Sequence, residues 1–317
     1  MNSCFANLVI LLHRNKMNLR SRIILSYIFL CIVWGTTWSI VKIGLGIFPP
    51  ILYAALRFLI ASIVLGLFVK KIPSTILKDR TFRKIVLILT LFEYSLSFVL
   101  MYFGQIYISS SLASVLFATF PLMVAIVTHY SIPDDRLNKR QYAGIIFGFI
   151  GVFVLFAPSS EPLSSSVILG MLAILLSAFL QSISVIVVRK YGQSYSSMHY
   201  NFLAMVLSTL LLLFMSFCFE DFSSTYFSRN GILSLLFLGI FGLALPYVIY
   251  FWLIKYLKPQ ILSLSAFITP LIAIAIGLLW LNETWTHQMT LGSIAVILGI
   301  LITLWDTTLV KRIDHSS

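Results

Sequence analysis

The chain has 317 residues, 60% of them hydrophobic and only 10% charged, with a mean hydropathy of +1.01. A water-soluble domain carries about 25% charged residues, so an aqueous fold is excluded and lipid is the expected solvent. The net charge of +12 raises the question of a nucleic-acid partner, which is set aside because the basic residues sort by membrane side. The three cysteines, Cys4, Cys31 and Cys218, have neither metal-ligand nor disulfide-framework spacing; Cys31 and Cys218 lie in apolar runs and are expected as small core residues.

In chain order, residues 1–16 make a poor signal peptide, with no basic stretch ahead of the short apolar run. Met17 opens a more ordinary start, so residues 1–22 are expected as a cytoplasmic tail whose first sixteen residues come either from an upstream start codon or from a disordered extension. A membrane-spanning helix needs roughly 20 mostly apolar residues. Ten segments qualify: 23–41, 50–69, 85–103, 107–131, 142–157, 167–188, 199–219, 232–254, 259–281 and 289–306. The connectors between them are short and hold the turn formers and the charges, and the third and fourth spans form a close hairpin. With the N-terminus in the cytoplasm, 19 of the 22 Lys and Arg fall on the inner side, Lys42 and Arg229 fall outside, and Arg57 lies within a span. That bias places both termini inside.

The chain also repeats itself. Shifted by 149, Tyr107 falls on Tyr256 and Pro121 on Pro270; shifted by 148, Asp135 falls on Glu283, Gly144 on Gly292 and Gly151 on Gly299. Residues 23–157 and 167–306 therefore read as two five-helix units joined by a linker at 158–166, with a tail from 307. Five is odd, so the second unit enters the membrane upside down. Such inverted repeats hold a substrate near the midplane between the halves.

Ionisable groups within lipid are costly and each is a candidate site. Arg57 and Glu93 lie eight or nine residues into their spans, roughly 12 Å deep. One reading has Arg57 holding a carboxylate or phosphate and Glu93 an amine or a coupling proton; the other pairs them to fix the second span against the third. Trp34, Trp38 and Lys42 share a helix face at i, i+4, i+8. Either they form an aromatic wall leading to a cation at the outer mouth, or they are interfacial anchors with a snorkelling lysine. Gln181 and Tyr247 are further pocket candidates. Pro121 and Pro270 should kink their helices and free the carbonyls of Phe117 and Ala266, which suits hinges; Pro246 is a third kink. Asp135 and Glu283 are expected to cap the helix that follows each, and Gly144, Gly148, Gly151, Gly292 and Gly299 to mark close packing.

The segments WGTTWSIVKIG (Trp34–Gly44) and PPILYAALRFLIAS (Pro49–Ser62), with paired TFPL and ITPL motifs followed by an acidic turn and a Gly-x6-Gly helix, resemble the drug/metabolite transporter superfamily, in its ten-helix EamA-type branch. The resemblance covers about residues 20–306. It implies an all-α polytopic protein of the cytoplasmic (inner) membrane, a secondary carrier of an amino acid or related zwitterionic or aromatic metabolite. Export is the direction the family favours, with uptake of a nucleoside-like or sulfonium metabolite as the alternative. A membrane enzyme or a non-transporting partner subunit is the competing class. No GxxxxGK[ST] loop, HExxH or TVGYG motif occurs, so no motor, metalloprotease or selective K+ filter is indicated. The expected partners are a small-molecule substrate and the bilayer, with no nucleic acid, no metal and no cofactor.

Overall fold

The computed structural model describes residues 19–69, 71–132, 137–156, 164–222, 227–257, 262 and 265–304. The expectations for the N-terminal tail, for Asp135 and for the tail beyond 304 lie outside these residues. Every regular element among them is helical. Six helices are long and apolar enough to cross a membrane: α1 (Leu19–Leu45), α3 (Arg80–Tyr107), α4 (Ser110–Ser131), α6 (Ser165–Tyr191), α7 (Ser197–Phe219) and α8 (Arg229–Leu253). Between and after them lie the shorter α2 (Pro50–Gly66), α5 (Lys139–Phe156), α9 (Ser265–Trp280) and α10 (His287–Leu304).

These helices are apolar nearly all round, as expected where lipid and core are equally greasy. Composition therefore does not say which side faces in. Cys218, expected in the core, is exposed on the surface of α7, whereas Cys31 is buried. Helix starts follow local chemistry. Proline opens α2, Asp79 caps α3 through Thr81 N at 2.7 Å, and Ser109, Ser164 and Ser228 cap α4, α6 and α8. Only Ile108 and Ser109 separate α3 from α4, so the hairpin is as tight as its sequence suggests.

The bundle has two ends. The far end, where α1 passes into α2, gathers Phe48 against Phe227 at 5.5 Å and Tyr53 Oη donating to Ser234 Oγ at 3.0 Å. The near end, where α1 begins, gathers Asp79, which accepts from Tyr195 Oη at 2.7 Å, and Arg22, stacked on Trp252 at 5.6 Å. Helices α5 and α10 cross through glycine. A Cβ added at Gly144 would sit 2.7 Å from Gly299 O, and one at Gly151 would sit 2.8 Å from Gly292 O. Only hydrogen there lets the two backbones meet.

Three departures from expectation concern breaks and caps. Pro121 does not kink a continuous helix: α4 is interrupted at Ala118–Thr119 and restarts at Phe120, which places Pro121 in a first turn where its missing N–H costs nothing. Pro270, its repeat partner, lies inside an unbroken α9. Glu283 caps α4, a helix of the other half, rather than the helix that follows it.

Candidate functional site

Two helices carry an unexpected turn. In α3, residues Leu89–Ser95 form a π-helical segment, and in α8 so do Leu238–Ala244. Leu89 and Leu238 are 149 apart, as are Ser95 and Ala244, the same shift that superposes Tyr107 on Tyr256. Each π turn absorbs one extra residue, a device often found at functional sites. Its effect is visible in which residues face inward. Along α3 the inward stripe is Glu93, Phe98, Met101, Gln105; along α8 it is Gly242, Tyr247, Tyr250. The first step in each is five residues and the later ones are three or four. An α-helical stripe steps by three and four only, so the i+5 step is the π turn's signature.

Between these stripes and α1, α2, α4, α6 and α9 lies a cavity whose empty space, open mouth included, is about 710 Å³. Trp34, Trp38, Arg57, Glu93, Gln181 and Tyr247 all line it. Pro121 and Pro270 do not, but the residues just before them, Phe120 and Thr269, do. The walls are aromatic. Trp34 lies 5.7 Å from Tyr247 and 5.3 Å from Tyr250. Trp38 lies 5.3 Å from Phe117, which stacks on Phe120 at 5.6 Å. Pro246 has no N–H for the carbonyl of Gly242 four residues back, and Trp34 Nε1 donates a long hydrogen bond to that oxygen at 3.4 Å.

The two charged groups are held differently. Arg57, 2% exposed, has its guanidinium carbon 5.9, 5.8 and 5.4 Å from the ring centres of Tyr53, Phe98 and Tyr102. Gly242 leaves it room: a Cβ there would stand 3.1 Å from Nη2. Arg57 Nε and Nη1 have no hydrogen-bond partner, and neither does Glu93 Oε2. No ion pair joins Arg57 to Glu93 among the described residues, so the structural pairing of α2 with α3 is not formed. Tyr247 stands within electrostatic reach of both. Lys42 is neither an open cation at the mouth nor a snorkelling anchor. Its ammonium donates to Ile108 O at 2.8 Å and to Gln105 O, closing off the C-terminal end of α3.

Sequence reasoning missed Thr37, Phe98, Met101, Gln105, Tyr250, Ser265 and Thr269 on the lining. The five-then-three spacing shared by Glu93–Phe98–Met101 and Gly242–Tyr247–Tyr250 is the signal that could have found three of them. Among the described residues no group of His, Cys, Asp and Glu could hold a metal ion.

Apolar helices of spanning length around an internal cavity that aromatic side chains, Arg57 and Glu93 help to line define a polytopic membrane protein. The chain belongs to the EamA-like transporter family, whose profile matches it twice, over residues 21–157 and 168–305. It is similar to the uncharacterized transporter YoaV of Bacillus subtilis (strain 168), 25% identical over 284 residues, spanning 89% of this chain and 96% of that one. An uncharacterized transporter of Buchnera aphidicola subsp. Schizaphis graminum (strain Sg) is 29% identical over 295 residues, 93% of this chain and 98% of its own. One solved crystal structure shares the fold with a TM-score of 0.65 at 17% identity, covering 90% of this chain and 97% of the other.

Proposed function

We propose that this chain is a secondary carrier crossing the cytoplasmic membrane ten times, as two inverted five-helix repeats with both termini in the cytoplasm, and that it moves a small zwitterion, an amino acid or a related metabolite, by alternating access. The observation that carries the reading is that Arg57 and Glu93 share one cavity without an ion pair between them, and each keeps polar atoms that have no hydrogen-bond partner. A charge buried without a partner is costly. A ligand bearing one anionic and one cationic group relieves both costs at once, which an apolar or singly charged ligand does not. Arg57 takes the carboxylate. Glu93 takes the ammonium group, or carries a proton when the ammonium is absent, which would couple flux to a pH gradient. Trp34, Trp38 and Tyr247 enclose the remainder, and Gln181 offers a neutral donor and acceptor. Names of family and relatives are those of transporters, and net export is the direction the family resemblance favours.

The test is reconstitution in liposomes with a pooled panel of amino acids, nucleosides and other metabolites, with and without an imposed pH gradient. Gradient-driven accumulation of a zwitterion supports carrier and coupling together. Equilibration without accumulation keeps the carrier and removes Glu93 as the coupling group. Flux confined to compounds lacking one of the two charges, or no flux from folded protein, overturns the reading.

A further inference from the structure

At the far end of the bundle, α4 starts at Ser110 with its first backbone N–H groups lacking partners inside the helix. Both oxygens of Glu283 meet them. Oε1 accepts from Ser110 N at 2.7 Å and Ser110 Oγ at 2.6 Å; Oε2 accepts from Ser111 N at 3.0 Å and from Ser111 Oγ. A carboxylate at a helix N-terminus is favoured by the helix dipole, and hydrogen bonds to a charged group are the strong kind.

The backbone is built around this contact. Asn282 sits at φ 51°, a left-handed conformation that asparagine tolerates better than most residues. Glu283 N donates to Gly277 O at 3.0 Å. Any side chain at Gly277 would collide with the Ser111 hydroxyl and the Glu283 carboxylate. Glu283 belongs to the second family match and Ser110 to the first, so the contact bridges the two halves. Lys42 holds the same α3–α4 turn from the other side through Gln105 O and Ile108 O, and Gln105 itself lines the cavity. A second acid ties the halves at this end. Glu220 accepts from Ile51 N at 2.6 Å and Leu52 N at 2.7 Å at the start of α2, braced by Ser216 Oγ at 2.7 Å.

We infer that Glu283 is the clasp of a gate: its bonds to Ser110 and Ser111 hold the far end shut over the cavity, and they must break before ligand can pass that way. The inference rests on the carrier reading for its purpose, but not for its test. Swinging the start of α4 away from the α9–α10 turn, which opens the far end, breaks all four of these bonds.

The test uses the full-length protein with Cys4, Cys31 and Cys218 replaced by alanine and a reporter, Val41→Cys, placed on the cavity wall beside Lys42. A membrane-impermeant methanethiosulfonate reagent is applied to proteoliposomes in which the far end faces the medium, so that it reaches the reporter from that side alone, and the labelling rate is followed without any substrate. In the clasped protein labelling is expected to be slow. Glu283→Gln should raise the rate at least tenfold, and Ser110→Ala/Ser111→Ala should do the same, with no further gain when all three are combined. If Glu283→Gln fails to insert, the paired serine variant carries the test alone. Rates within twofold of the clasped protein, in folded variants, overturn the clasp even where substrate flux is normal. Faster labelling of a protein that moves no substrate leaves the clasp standing and sinks only the carrier.

Discussion

Arg57→Met separates a binding arginine from a structural one. The substitution keeps most of the stem volume and deletes the charge. What the guanidinium loses on folding is its hydration, a penalty of several kcal/mol for a buried ion. What it gains is contact with three rings at 5.4–5.9 Å, each worth about 0.5–2 kcal/mol, and no hydrogen bond at Nε or Nη1. These nearly cancel, so the variant should match the parent in folding stability to within about 1 kcal/mol, as buried ions replaced by apolar residues commonly do. Ligand binding is another matter. A carboxylate bonded to the guanidinium contributes about 1.5–3 kcal/mol per charged hydrogen bond. Losing about 3 kcal/mol weakens binding by roughly a hundredfold. Thermal unfolding in detergent gives the first quantity, and concentration-dependent uptake in liposomes gives the second. The reasoning is refuted if Arg57→Met is destabilised by about 3–5 kcal/mol, the cost of breaking a buried ion pair, and Arg57→Met/Glu93→Gln restores it.

Three further outcomes are expected. Gly299→Ala places its Cβ 2.7 Å from Gly144 O and 2.5 Å from Gly148 Cα, backbone that cannot yield, and should cost about 1–3 kcal/mol in a melting experiment, whereas Gly46→Ala, 3.5 Å from Ile43 O, should leave stability nearly unchanged. Pro270→Ala restores a hydrogen-bond donor in mid-helix and should slow turnover, while Pro121→Ala, in a first turn, should leave it close to normal; equal effects would remove the asymmetry between the two sites. Partial burial pushes the Glu283 carboxyl upward, but the hydrogen bonds from Ser110 and Ser111 outweigh it and hold its pKa below the ordinary value. The clasp is therefore at full strength above the usual carboxylate pKa of about 4.3 and is lost only as pH falls through the depressed one. Spin-label distances across the far end should stay constant from pH 7.5 to 5 and lengthen in stronger acid, and lengthening near pH 6 would contradict this.

Much of the site was legible because lipid makes polar residues conspicuous. Arg57, Glu93 and Gln181 stand out in runs of Leu, Ile and Phe, and all three line the cavity. Trp34 and Trp38 are legible from their shared helix face at i and i+4, and both line the cavity. The repeat was legible from Tyr107, Pro121 and their counterparts. What was hidden depends on tertiary neighbours. Glu283 and Glu220 look like ordinary turn acids, and nothing near them in the chain reveals that each caps a helix 172 or 169 residues away. Lys42 carries no mark that its partners are carbonyls of α3. Cys218, expected in the core, lies on the surface, because a lipid-facing surface and a protein core select the same residue types. The break at Ala118–Thr119 was masked by Pro121, which draws attention to itself and away from the turn before it.

The matched π turns bear on ancestry. An extra residue in α3 and another in α8, at one register of the repeat, call for a single insertion before the gene doubled or for two insertions at one place afterwards; the single event is the more economical history. The ancestral unit, matched twice in this chain, then already carried the bulge. Its fifth bulge position became an acid, Glu93, in one copy and Gly242, which clears the space for Arg57, in the other. Duplication thereby let one register carry a different side chain in each copy, so that the cavity is not symmetric in its polar groups.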